Sequence, residues 1–117
     1  MKPTDLMIKD WVMVKILSQI PNTYVLHTWT ANDYQRNLQV KPIPLTTEIL
    51  EKNGWEQTEY CHEYQYGKNT IQCRLPYMVG RINGIDIENF KCEYVHQYQH
   101  LLRLCGLNEL ANNFKVV

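Results

Sequence analysis

The sequence predicts an α+β fold in which a C-terminal helix covers an antiparallel sheet. Three observations predict it. Lys91 to Leu110 is the one long stretch with a clean helical period. Two tight-turn signals, Gly67-Lys68 and Asn83-Gly84, separate β-forming runs between Glu59 and Phe90. A further β-rich stretch opens the chain between Met7 and Val40. The expected plan is one domain over residues 1–117. Its N-terminal three-strand unit (1–44) resembles a curled sheet or SH3-like barrel; a short helix, a four-strand meander and the covering helix follow (45–117).

A chain of 117 residues can bury an ordinary core without disulfide or metal staples. Lys and Arg number twelve, as do Asp and Glu, so the net charge is zero. That balance argues against a protein whose main task is gripping nucleic-acid backbone or an anionic membrane. Glu48, Glu51, Glu56, Glu59 and Glu63, against Lys52 alone, read as a solvated acidic face. No apolar run reaches the length of a membrane span, and the start lacks the pattern of a secretory signal, so the expected location is the cytoplasm. Cys61, Cys73, Cys92 and Cys105 lack the close pairing of a zinc site and read as small buried hydrophobes. Eight tyrosines and three tryptophans favour sheets and interfaces.

Residues 7–16 alternate loosely and predict a strand. Ser18 to Asn22 is a loop, Thr23 to Thr30 a second strand, and Tyr34 to Val40 a third. In the second, Val25, His27 and Trp29 share one face. Pro42 and Pro44 lack the N–H that a ladder needs. The helix over 45–55 has both ends marked. Thr46 caps it, Leu45 staples to Leu50, and Gly54 supplies the left-handed residue that lays Trp55 on Leu50.

For the next hairpin, one register puts the apolar-leaning residues on a common face. It sets Tyr60 opposite Leu75, His62 opposite Cys73 and Tyr64 opposite Ile71, with Gly67-Lys68 as a type II′ turn. Cys61 then opposes Arg74, which argues against a Cys61–Cys73 disulfide. Leu75-Pro76-Tyr77 forms a corner. Asn83-Gly84 as a type I′ turn pairs Ile82 with Ile85 and Arg81 with Asp86. The last helix is expected over about 93–105, with Asn89 a candidate cap. Tyr94, Val95, Tyr98, Leu101, Leu102 and Cys105 fall in a stripe about 120° wide, leaving His96, His100 and Arg103 on the far side. Gly106 ends it and lays Leu107 on Leu102. Leu110 and Phe114 anchor an otherwise frayed tail.

Three runs carry a resemblance. They are Asp10-Trp11-Val12, the stretch Lys41-Pro42-Ile43-Pro44-Leu45-Thr46 leading into Glu48-Ile49-Leu50 with Gly54-Trp55, and Glu93-Tyr94-Val95-His96-Gln97 with Gln99, Leu101, Gly106 and Glu109-Leu110. In these the chain resembles a family of small uncharacterised proteins of gut Bacteroidales, often found beside prophage or mobile-element genes. The resemblance implies a domain and a setting, and no catalytic residue.

Candidate sites follow from residue chemistry. His96 and His100, at i and i+4, can reach one metal from a single helix face, but Gln97 stands where a zinc hydrolase needs Glu, and no third ligand is evident. His62 beside Cys73 is a candidate Cys–His pair. Tyr60, Tyr64 and Tyr66 with Trp55 are a candidate stacking platform for single-stranded nucleic acid, opposed by the interleaved Glu56, Glu59 and Glu63. The expectation is a non-catalytic interaction or accessory module that needs no cofactor or metal and binds another protein. Trp55, Tyr60, Tyr64, Tyr66, His96, His100 and Arg103 are its candidate contact residues. Nucleic-acid binding and a His96/His100 metal enzyme are the alternatives.

Overall fold

The computed structural model describes residues 5–15, 24–36 and 38–117. It shows the α+β class expected: a three-stranded sheet, a five-stranded antiparallel sheet, three short α-helices and a 3-10 turn among the described residues. In the first sheet β1 (Trp11–Lys15) lies between β2 (Tyr24–Thr28) and β3 (Val40–Lys41). The two-residue period of β1 lets one strand serve two cores. Val12 and Val14 join Leu6 and Trp29 in a small cluster, while Trp11 and Met13 pack on the main core.

The expected N-terminal strands are shortened, each by a carboxylate. Asp10 accepts from the Met7 N–H at 2.8 Å and folds Met7–Asp10 into a turn, so β1 starts at Trp11 rather than residue 7. The third strand expected over Tyr34–Val40 is corrected to a 3-10 turn at Ala31–Gln35 followed by the brief β3. There the Asp33 carboxylate takes the Thr30 N–H (2.8 Å) and hydroxyl (2.9 Å) and meets His27 Nε2 (2.7 Å), a local alternative to the ladder. The loop expected over Ser18–Asn22 lies outside the described residues.

Helix α1 (Thr47–Lys52) has the ends its sequence specifies. The Thr46 hydroxyl accepts from Ile49 N–H, Gly54 bonds back to Glu51, and Trp55 N–H reaches Leu50 O at 3.2 Å. Leu50 and Trp55 are both buried. That turn delivers an unforeseen edge strand, β4 (Glu56–Gln57), so the meander has five strands in sequential order. The others are β5 (Glu63–Tyr66), β6 (Asn69–Arg74), β7 (Tyr77–Ile82) and β8 (Ile85–Lys91).

Tyr64 opposes Ile71, and Tyr66 opposes Asn69 across Gly67-Lys68, the register expected. The strand does not extend back to Tyr60, however. His62 sits at φ 62°, which ends β5 at Glu63 and leaves Tyr60 and Cys61 exposed in a turn; only the Cys73 N–H still reaches His62 O. At Asn83-Gly84 both residues have positive φ, and Ile82 opposes Ile85 and Arg81 opposes Asp86 as a type I′ turn requires. Arg81 Nε lies 2.9 Å from Asp86, an exposed pair of small worth.

Helix α2 (Val95–Leu104) buries Val95, Tyr98, Leu101 and Leu102 against the sheet's inner residues, among them Tyr64, Ile71, Met78 and Ile82. Tyr94, not Asn89, caps it; Gln97 reaches back to accept from the Glu93 and Tyr94 N–H groups. Asn89 lies within β8. Gly106 and Leu107 close the helix onto Arg103 O and Leu102 O as expected. The tail is not frayed. It forms α3 (Asn108–Asn112) and buries Ala111, Phe114 and Val116 in the main core. Ile43 and Leu45, on either side of Pro44, hydrogen-bond Val95 and Glu93, so the proline run docks on the start of α2.

Gly80, at the β7–β8 bulge, lies close against the backbone of β6. A Cβ there would lie 2.2 Å from Thr70 O and 2.7 Å from Ile71 Cα, both backbone atoms that cannot step aside. Gly80→Ala is therefore expected to cost about 1–3 kcal/mol in urea unfolding. A variant as stable as the parent would contradict this spacing.

Candidate functional site

The far side of α2, expected to be a solvated polar face, is instead roofed by the segment leading into β1. This corrects the placement of His96, His100 and Arg103. Asp10 is fully buried and is the centre of the contact. Its Oδ2 meets His100 Nε2 at 2.5 Å and its Oδ1 meets Arg103 Nη1 at 2.5 Å. Arg103 also donates to Ile8 O (3.1 Å) and to Asn112 on α3 (3.3 Å). One turn earlier the buried Gln99 satisfies all it can. Its Oε1 accepts from Trp11 N–H, and its amide donates to Lys9 O and Ala111 O, each at 2.9 Å.

These contacts fix the cation positions. A buried carboxylate held by a guanidinium, an imidazole and a backbone N–H has its lone pairs committed to the protein. Arg103 and the His100 Nε2 are thus both committed to Asp10 inside the fold. Beside His100 lies a cleft of about 440 Å³, lined by Asp5, Pro42, Tyr94, His96, Gln97 and His100. His96 is buried there with its ring stacked on Tyr94 (centroids 6.0 Å) and edge-on to His100 (5.7 Å). Its Nδ1 has no hydrogen-bond partner among the described residues. Among the described residues no three His, Cys, Asp or Glu side chains converge as a metal site would need.

The other candidates separate. Trp55 and Tyr64 are buried in the main core and cannot offer a ring face to a ligand. Tyr66 leans over Trp55 (5.6 Å) and is partly exposed, while Tyr60 stands free in its turn. They form no common platform. His62 is exposed, whereas Cys73 is buried, and burial pushes its thiol up to about 11, so it stays a thiol near neutral pH. Cys92 is pushed to about 12 by burial and by Cys73.

What sequence reading missed is the outer face of the five-stranded sheet. Inner positions alternate with Glu63, Gln72, Arg74, Tyr77, Val79, Arg81, Asp86, Glu88 and Lys91, nearly all of them exposed. In one cross-strand row Arg74 opposes Tyr77 and Tyr77 opposes Lys91. Tyr77 is 51% exposed and Val79, two residues on, 40%. The signal was available: Arg74 and Tyr77 flank the Leu75-Pro76 corner and must pair if it is tight.

Burial, and then the neighbouring His100, holds the His96 pKa below its ordinary 6.5, with Asp10 and Asp5 pulling weakly the other way. The unfolded chain therefore binds this proton more readily, and stability present above pH 6.5 is lost as pH falls toward the folded value. Urea unfolding should show this decline with a slope of at most about 1.4 kcal/mol per pH unit from this one site. His96→Gln should flatten it, and an unchanged slope would contradict a buried neutral imidazole.

No family model, curated protein or solved structure matches this chain.

Proposed function

We propose that the chain is a non-catalytic protein-interaction module that docks its partner on the outer face of the five-stranded sheet. The observation that carries this reading is the exposure of Tyr77 and Val79 at the middle of a rim of mixed charge. An apolar centre with an aromatic anchor and a polar rim is the usual anatomy of a protein interface. The chain's cationic chemistry offers little to a catalytic reading, because His100 and Arg103 are bound to Asp10. A polyanion fits poorly, since Glu63 and Glu88 share the face with the cations and the net charge is zero. The resemblance of its motif runs adds a setting, an accessory role in a phage or other mobile element.

No helix among the described residues is long and apolar enough to cross a membrane. A protein partner is therefore sought by cross-linking in the native host. A photo-cross-linking residue at Val79 should capture a protein partner, while the same residue at Glu48 on α1 should not. Capture from Glu48 alone, or of nucleic acid from Val79, would overturn the reading.

A further inference from the structure

Within that docking face, the row Arg74–Tyr77–Lys91 has a character of its own. The β6–β7 corner and the β8 register place one cation on each side of the exposed Tyr77 ring. Strands lie about 4.8 Å apart, so the two cation-bearing backbones stand about 10 Å apart across the tyrosine. Arg74 forms no ion pair with any described residue. Lys91 Nζ lies 3.8 Å from Glu93 Oε2, both well exposed, a contact that an incoming carboxylate can replace. Arg81 in the far row is matched by Asp86, so the row at the corner holds the unbalanced positive charge. Next to it, toward the middle of the sheet, stand Val79 with Gln72 opposite it on β6, then Glu63 beyond Gln72 on β5, and Glu88 on β8.

We propose that this row binds a short acidic segment of a partner protein, with two carboxylates on Arg74 and Lys91 and an apolar residue between them on Tyr77. The inference rests on the sheet's outer face being the docking surface and names the chemistry of what docks there. In a polyproline II-like segment, with three residues per turn and a rise of about 3.1 Å, carboxylates three positions apart lie on one face about 9 Å apart and match the spacing of the cations. Arg74 presents a planar donor fork suited to a carboxylate, and Lys91 a point charge. The row is two cations long and bordered by Glu63 and Glu88. This favours a local pair of carboxylates over the continuous charge of a nucleic-acid strand, which would have to cross the acidic positions. Leu75, 37% exposed at the corner, extends the apolar contact beyond Tyr77.

The test titrates the isotope-labelled full chain, by amide NMR, with three probes: a capped peptide repeating Glu-Leu-Leu-Glu twice, its Lys-for-Glu counterpart, and a ten-nucleotide oligothymidylate. The glutamate peptide is expected to shift amides of residues 74–79 and 90–91. Arg74→Glu with Lys91→Glu should weaken that binding at least tenfold, while Arg74→Lys with Lys91→Arg retains it. Both pairs lie on the surface, and an unchanged amide spectrum elsewhere confirms that they fold. Absence of shifts at millimolar peptide, indifference to the charge reversal, or tighter binding of the lysine peptide or the oligothymidylate would overturn the proposal. A cross-link from Val79 that survives the charge reversal leaves the docking face standing and removes the acidic partner.

Discussion

The structure depends on one buried carboxylate. Asp10 lies at the end of the turn that starts β1 and is held by side chains one turn apart on α2, His100 and Arg103. Among the described residues it is the charged centre of the contact between the N-terminal segment and α2. Trp11 follows it, donating its indole N–H to Phe114 O and its backbone N–H to Gln99. Three separate parts of the chain, β1, α2 and the α3 tail, therefore meet around two polar side chains and a tryptophan. A buried ion pair adds little net stability over an apolar replacement, because desolvation offsets attraction. Its strength lies in direction: hydrogen bonds accept one alignment of the two units, where apolar contacts would accept many.

This arrangement explains why parts of the fold were legible in the sequence and others were not. Local rules with fixed geometry were readable. The Thr46 cap, the Gly54 and Gly106 endings, the Asn83-Gly84 turn and the Tyr64–Ile71 register depend on neighbours within a few residues, and each is as expected. The helical stripe of α2 was readable for the same reason. Its other face was not. A period analysis assigns His96, His100 and Arg103 to water because they are polar, and only the fold reveals that a segment about 90 residues away holds His100, Arg103 and the neighbouring Gln99. The same blindness hid α3, which holds few apolar residues but buries Ala111; of the residues after it, Phe114 was legible as an anchor and the burial of Val116 was not. The shortened strands were lost to Asp10 and Asp33, side chains that compete with the ladder for backbone N–H groups.

The candidate site illustrates the point from the other direction. Aromatic and cationic residues were singled out by type, and the core absorbed Trp55 and Tyr64 while Asp10 absorbed His100 and Arg103. What the interior leaves over is a sheet face with Tyr77 between Arg74 and Lys91, ordinary residues made distinctive by strand register alone. The same physics tunes ionisation elsewhere. Asp33 loses by burial but gains more from His27 and Thr30, so its pKa is lowered; its contribution to stability is full above the ordinary value of 3.8 and is lost as pH falls from there through the folded value.

The central claim is that Asp10 and Arg103 act as one unit. A double-mutant cycle in urea unfolding with Asp10→Asn, Arg103→Met and the pair measures it most directly. The account predicts a coupling of about 1–3 kcal/mol, each single change costing nearly as much as both. Additivity within about 0.5 kcal/mol would contradict it, and would leave the alignment of the N-terminal sheet on α2 to apolar packing alone.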